Sequence, residues 1–187
     1  MNFSDGANHD MVIYMAVIKP KSTKLHLGCG TKIFNGWLNV DKFSKKADIK
    51  VDLDKIPWPL PNNHFTEIYL SHVLEHLYDV QATMDEIWRI SKKGAKVTII
   101  VPHFSGMAAP SPFHKHTFNS QSMNYFTEES NETYGKAKFK IKSTKIYWYP
   151  STDKEYISKS ILRKVAYYLG EFLNVLINAN RHFFERI

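Results

Sequence analysis

Short apolar runs separated by polar turns fill residues 24–102 and predict strands that alternate with helical or irregular connections. One segment, 80–92, is different, because its apolar residues recur with the 3.6-residue period of a helix. Asp79 suits the N-cap of this helix, and Gly94 suits its end. The predicted strands are 25–27, 38–40, 49–51, 66–71 and 95–102, the last of them buried on both faces. The pattern predicts an α/β domain with a mostly parallel sheet.

The pattern changes after residue 102. Residues 103–135 are rich in Ser, Asn, His and aromatic side chains, which is typical of a functional loop, and a short helix is expected near 120–126. Residues 137–149 alternate enough to predict one or two last strands. We expect the whole 103–149 region to form a lid over a ligand-binding site.

A long helix is predicted over residues 157–184, as a C-terminal helical extension with one apolar stripe. Glu171 interrupts the apolar run, which disfavours a transmembrane span. Packing on the domain or on a second subunit is expected. Peripheral contact with anionic lipid stays open, since Lys159 and Lys164 lie at the start of the helix.

Composition indicates one domain, expected over 21–187, preceded by a leader or edge segment at 1–20. The single cysteine, Cys29, excludes an intramolecular disulfide, and no signal peptide is evident, so we expect a cytoplasmic protein. The net charge of +7 favours an anionic partner. Because the basic residues are scattered, nucleic acid stays open but is not favoured.

The glycine-containing turn after the first predicted strand carries the clearest chemical signal. Gly28 and Gly30 allow a tight turn and a close approach of a ligand to the backbone. Asp41 follows the second predicted strand, where a carboxylate suits the two hydroxyls of a ribose. These residues predict a nucleoside-type cofactor at the carboxyl ends of parallel strands.

Five segments in order extend this signal: L-H-L-G-C-G at 25–30, G-W-L-N-V-D at 36–41, V-D-L-D at 51–54, the proline-rich residues 57–65 and H-V-L-E-H-L at 72–77. Together they resemble class I methyltransferases that use S-adenosylmethionine (SAM), especially the small bacterial and archaeal type with an HVLEH segment. The resemblance implies a Rossmann-like, doubly wound sheet with SAM across the carboxyl ends of its strands.

The resemblance also implies roles for particular residues. The implied cofactor-binding residues are His26, Gly28, Cys29, Gly30, Asp41, Asp52, Leu53, Ser71 and His72. Asp41 would accept hydrogen bonds from the ribose, while Asp52 and Leu53 would contact adenine. His26 departs from the family, which has an acidic residue there, and the third glycine of the longer glycine-rich pattern is absent.

Methyl transfer from a sulfonium needs alignment first, and a base only if the acceptor must lose a proton. The candidate bases are His72, His103, His114 and His116. The acceptor atom is expected to be an oxygen or nitrogen of a small molecule, a sugar or a lipid-linked glycan. No Asn-Pro-Pro-Tyr-type amine motif follows the fourth strand, which tilts the expectation weakly toward oxygen.

Three alternatives remain open. The chain could bind SAM without catalysis. His103, His114 and His116 could bind zinc, although no carboxylate in that loop completes the set, and no metal is expected. The H-x-x-E-H pattern at 72–76 also matches an inverted zinc-peptidase signature, which requires a helix through those residues.

Overall fold

The computed structural model describes residues 17–106, 108–130 and 135–146, together with Leu169, Phe172 and Val175. Within these residues, five strands form one sheet. They are β1 (Lys24–Leu27), β2 (Leu38–Asp41), β3 (Ile49–Lys50), β4 (Phe65–Ser71) and β5 (Ser91–Ile100). The described elements also include the helix α1 (Val80–Ile90) and two 3-10 helices, Leu74–His76 and Ser122–Phe126.

All four neighbouring strand pairs are parallel, in the order β3-β2-β1-β4-β5. The chain therefore moves outward from β1 to β3, and then returns to the other side of β1 to lay down β4 and β5. Leu27 pairs with Val40 on one side and with Leu70 on the other, so the carboxyl ends of the three central strands are level. This reversal of strand order opens a crevice at those ends, where α/β sheets bind ligands. The Rossmann-like α/β prediction is confirmed.

The two faces of the sheet differ in the side chains that they carry. Leu25, Leu27, Ile68 and Leu70 are buried in the main apolar cluster, which also includes Ile87 of α1. Their neighbours along the strands point to the opposite face, because successive side chains alternate. This opposite face carries polar and aromatic side chains, among them those of His26, Asn39 and Tyr69.

The prediction that the fifth strand is buried on both faces is wrong. β5 is an edge strand of the sheet that the described residues form, and Ile100 is 38% exposed. An edge strand has only one strand neighbour, and its apolar side chains are therefore covered less completely than those of β1 or β4.

Helix α1 begins as predicted and ends early. The Asp79 carboxylate caps it by accepting a hydrogen bond from the Ala82 N–H at 2.8 Å. The helix ends at Ile90 rather than at residue 92, because Ser91 is already extended and pairs with Phe65 in the sheet. Gly94, expected to end the helix, instead lies in the irregular part of β5 with a φ of +78°.

The region after β5 contains little regular structure. The helix expected at 120–126 is present as the 3-10 helix Ser122–Phe126. The last strands expected over 137–149 do not form in the described part, 137–146, where Phe139 makes only an isolated bridge with Thr127. The Asp85 side chain takes the place of a strand partner here, because its carboxylate accepts hydrogen bonds from the N–H groups of residues 136 and 137, each at 2.7 Å.

Several predictions fall outside the described residues, namely the segment 1–16, the last strand positions 147–149 and almost all of the helix at 157–184. Leu169, Phe172 and Val175 are helical and exposed. Among the described ranges, no helix has the length and apolar character needed to cross a bilayer.

Candidate active site

The turn after β1 is held against two neighbouring strands. Gly28 and Gly30 have φ values of +63° and +53°, a region that favours glycine. A Cβ on Gly28 would lie 2.2 Å from Cγ2 of Val73, so only glycine fits against that side chain. The Cys29 N–H donates to the Val40 carbonyl at 3.0 Å, and burial raises the pKa of the Cys29 thiol. Cys29 is therefore a small packing residue in a rigid turn.

Asp41 ends β2 beside this turn and binds it directly. Its Oδ2 accepts the Gly30 N–H at 2.9 Å, and its Oδ1 accepts the N–H groups of Phe43 and Ser44 at 2.7 Å each. Partial burial opposes the charge, yet these donors outweigh it and lower the pKa of Asp41. A carboxylate oxygen accommodates about two donors, so Oδ2 can still accept one more.

The implied adenine residues lie in the next loop. Asp52 pairs with Lys42 at 2.7 Å, and this hydrogen bond lowers the pKa of Asp52. The side chain of Leu53 is buried in the main apolar cluster rather than displayed at the crevice. Phe43, which the sequence reasoning missed, is 81% exposed and carries Lys42 over its ring at 5.3 Å. An aromatic residue two positions after Asp41, in a polar loop, was the signal available for it.

His26 lies on the polar and aromatic face of the sheet. Its ring stacks on Phe34 at 4.2 Å and meets the edge of Tyr69 at 5.3 Å. Its Nδ1 is 3.4 Å from the Asn39 Oδ1, and burial lowers the pKa of His26. Because His26 is only 2% exposed, it offers almost no surface to a cofactor in this conformation.

β4 ends at Ser71, one residue past the pairing of Leu27 with Leu70, so Ser71 and His72 lie at the level of the glycine turn. His72 has a φ of +55°, and its N–H donates to the carbonyl of Ile100 at 2.9 Å. Its side chain is 59% exposed, with Nδ1 3.2 Å from the Glu75 Oε1. The 3-10 helix Leu74–His76 begins after His72, so the continuous helix that a zinc peptidase needs across residues 72–76 is absent.

An open cavity of about 350 Å³ lies beside this turn. Its lining residues are His72, Glu75, His76, Ala108, Pro110, Ser111 and His114. Of the four candidate bases, the structure brings two to the cavity, His72 and His114. His103 does not line it and lies 2.8 Å from the Ser105 Oγ, while the Nε2 of His116 lies 3.2 Å from the Tyr78 carbonyl oxygen.

Glu75 and His76 are not among the site residues predicted from the sequence, and the structure places both in the cavity wall. The HVLEH segment contains the signal, because its polar residues directly follow a central strand and therefore lie near the carboxyl edge of the sheet. The loop after β5 completes the wall: the Lys115 N–H donates to the Glu75 carbonyl at 2.8 Å.

A family model described as a methyltransferase domain matches residues 25–99 of the chain. The match runs from β1 almost to the end of β5, and it includes the glycine turn, Asp41 and the segment 72–76. No curated protein and no solved structure shows significant similarity to the chain.

Proposed function

We propose that this protein transfers a methyl group from SAM to an oxygen or nitrogen of a small-molecule, sugar or glycan acceptor, a proposal supported by the match of residues 25–99 to a methyltransferase-domain model. One observation carries the proposal beyond the family match. The glycine turn and the Asp41 carboxylate meet at the carboxyl ends of two neighbouring parallel strands, joined by the hydrogen bond from Gly30 to Asp41.

The residues at this edge fit the nucleoside part of SAM. Asp41 stays charged at neutral pH and has a free acceptor position on Oδ2 for a ribose hydroxyl. Phe43 supplies an exposed ring beside it for the face of adenine. Asp52 can accept the exocyclic amine of adenine once Lys42 turns away, a change that costs little because the Lys42 side chain is 48% exposed and its ammonium can return to water.

The backbone donors and acceptors of the glycine turn determine how it can contact the amino acid part of the cofactor. The N–H groups of Cys29 and Gly30 are already bonded, to Val40 and to Asp41. The methionine ammonium is itself a hydrogen-bond donor, so its contacts fall to carbonyl oxygens of the turn, which are acceptors. SAM supplies a methyl group on a sulfonium, a good leaving group, so the protein contributes mainly alignment.

His72 is the residue best placed to act on the acceptor. It stands at the end of β4 beside the cavity, and its Nδ1 is within hydrogen-bond distance of the buried Glu75 carboxylate. When Nδ1 donates to Glu75, the ring is oriented and Nε2 is left with a lone pair. Nε2 would then accept the proton of an acceptor hydroxyl as its oxygen bonds to the methyl carbon.

Binding of SAM to purified full-length protein tests the cofactor assignment by calorimetry. Asp41→Ala should weaken binding by about 10- to 100-fold, the value of a hydrogen bond to a charged group. Glu67→Gln is the matched control, because Glu67 is a carboxylate paired with Lys24 at the opposite end of the sheet. Absence of SAM binding to the unaltered protein, or equal binding by Asp41→Ala, would refute the proposed cofactor site.

Catalysis needs a second experiment, since a SAM-binding protein need not transfer the methyl group. Methyl-labelled SAM incubated with the protein and fractionated cell extract should label at least one fraction, and His72→Ala should reduce that labelling. Tight SAM binding with no label in any fraction would indicate a non-catalytic SAM-binding protein instead.

A further inference from the structure

Glu75 is the most unusual polar residue of the described part of the chain. Its side chain is 0% exposed, and its Oε2 has no hydrogen-bond partner among the described residues. The other oxygen, Oε1, has only the contact with His72. A buried carboxylate oxygen without a partner is costly, so native proteins normally supply a donor or a cation.

Two imidazoles stand next to this carboxylate. Glu75, His76 and His114 each offer one ligand atom, and these three atoms lie within 4.8 Å of one another. Backbone contacts hold the two contributing segments together, since the N–H groups of Lys115 and His116 both donate to the Glu75 carbonyl. The cluster therefore depends on a docked loop rather than on a chance contact between long side chains.

The hydrogen bonding of His76 prepares it to bind a metal. Its Nδ1 lies 3.1 Å from the Phe113 carbonyl oxygen, which can only accept. Nδ1 must therefore carry the proton of the neutral ring, and Nε2 has the free lone pair. Metal-binding histidines are oriented in this way, with the other ring nitrogen donating to a backbone carbonyl or a carboxylate.

We propose that Glu75, His76 and His114 form a binding site for a divalent transition metal of the zinc type. Two imidazole nitrogens and one carboxylate oxygen are a ligand set that suits zinc better than magnesium or calcium, which prefer oxygen ligands. Ligand atoms around tetrahedral zinc lie about 3.3 Å apart, so the widest pair closes by up to about 1.5 Å on binding. The fourth position faces the cavity of about 350 Å³.

This site differs from both zinc arrangements that the sequence suggested. Only His114 of the set His103, His114 and His116 takes part, and His72 is not one of the three ligands. The carboxylate missing from the 103–116 loop comes from Glu75, on the segment after β4. If the proposed methyl transfer also holds, the open position can take an acceptor hydroxyl and lower its pKa.

Zinc titration of metal-free, full-length protein without SAM tests the site, with Co²⁺ as a spectroscopic probe of tetrahedral coordination. We expect about one Zn²⁺ per chain. His114→Ala removes one partly exposed loop ligand and should weaken zinc binding by at least about tenfold. Glu75→Gln, which keeps the shape of the buried side chain, should do the same without loss of the circular dichroism spectrum.

His64→Ala is the matched control, because His64 bonds to the Ser22 carbonyl and has no part in the cluster. It should bind zinc as the unaltered protein does. The site is overturned if the unaltered protein binds no stoichiometric zinc, or if His114→Ala and His64→Ala bind it equally. Because zinc is measured without SAM, failure of SAM binding alone would refute the proposed cofactor site and leave the metal site standing.

Discussion

Replacement of Gly28 by alanine should destabilise the protein more than the same replacement at Gly30. Both glycines have positive φ, at +63° and +53°, so each new Cβ costs about 1–2 kcal/mol of backbone strain. At Gly28 the Cβ would also lie 2.2 Å from Cγ2 and 3.3 Å from Cγ1 of Val73. Overpacking of this kind adds about 1–3 kcal/mol. Nothing lies within 4 Å of the Cβ position at Gly30.

We therefore expect the free energy of unfolding to fall by about 2–5 kcal/mol for Gly28→Ala and by about 1–2 kcal/mol for Gly30→Ala. Urea unfolding of the full chain, followed by tryptophan fluorescence, measures both changes. Val73→Ala completes a double-mutant cycle, because it removes the two methyl groups that the new Cβ would meet. In that background Gly28→Ala should cost no more than Gly30→Ala does.

Equal losses of unfolding free energy for the two single variants would contradict the steric role assigned to Val73. So would a coupling between Gly28→Ala and Val73→Ala below about 0.5 kcal/mol, since contacting residues should exceed that value. Either result would mean that the 72–76 segment moves away from the glycine turn at little cost. The proposed alignment of cofactor and acceptor would then lose its rigid support.

Three further variants test single features of the fold. The lowered pKa of Asp41 means that its contribution to stability is complete above about pH 4 and is lost as the pH falls through its folded-state pKa. Asp41→Asn should therefore flatten the acid limb of a curve of stability against pH. An acid limb unchanged by the substitution would contradict this. The lowered pKa of His26 means that stability falls as the pH drops below about 6.5, where the unfolded chain binds the extra proton. His26→Phe should remove that slope in thermal melts between pH 7 and 5, and a persisting slope would assign it to other histidines. The buried Glu86 carboxylate accepts hydrogen bonds from the backbone N–H of Trp58 at 2.6 Å and from the Arg89 guanidinium at 2.5 Å. Glu86→Ala should therefore lower the free energy of unfolding, measured in urea, by about 3 kcal/mol. A loss below about 1 kcal/mol would show that water satisfies Arg89 in the variant.

Features that depend on residues close together in the chain could be predicted from the sequence. Apolar runs placed all five strands to within a few residues, and the cap at Asp79 was read correctly because the capping bond spans only three residues. The order of the glycine turn and Asp41 along the chain was enough to predict a nucleoside-type site. The match to a methyltransferase-domain model agrees with the family that the sequence motifs resembled.

Features that depend on residues distant in the chain became evident only from the fold. β5 looked fully buried, but burial depends on which strands flank it, and in the described sheet it is at the edge. The cofactor role that the resemblance implies for His26 stays a prediction, and the contacts of its ring with Phe34 and Tyr69 are long-range packing that the sequence did not predict. Glu75 and His114 are 39 positions apart, and only the docking of the loop after β5 brings them together. Periodicity and motifs report local backbone preference, whereas the exposure and pairing of a side chain are set by the long-range packing that brings distant segments together.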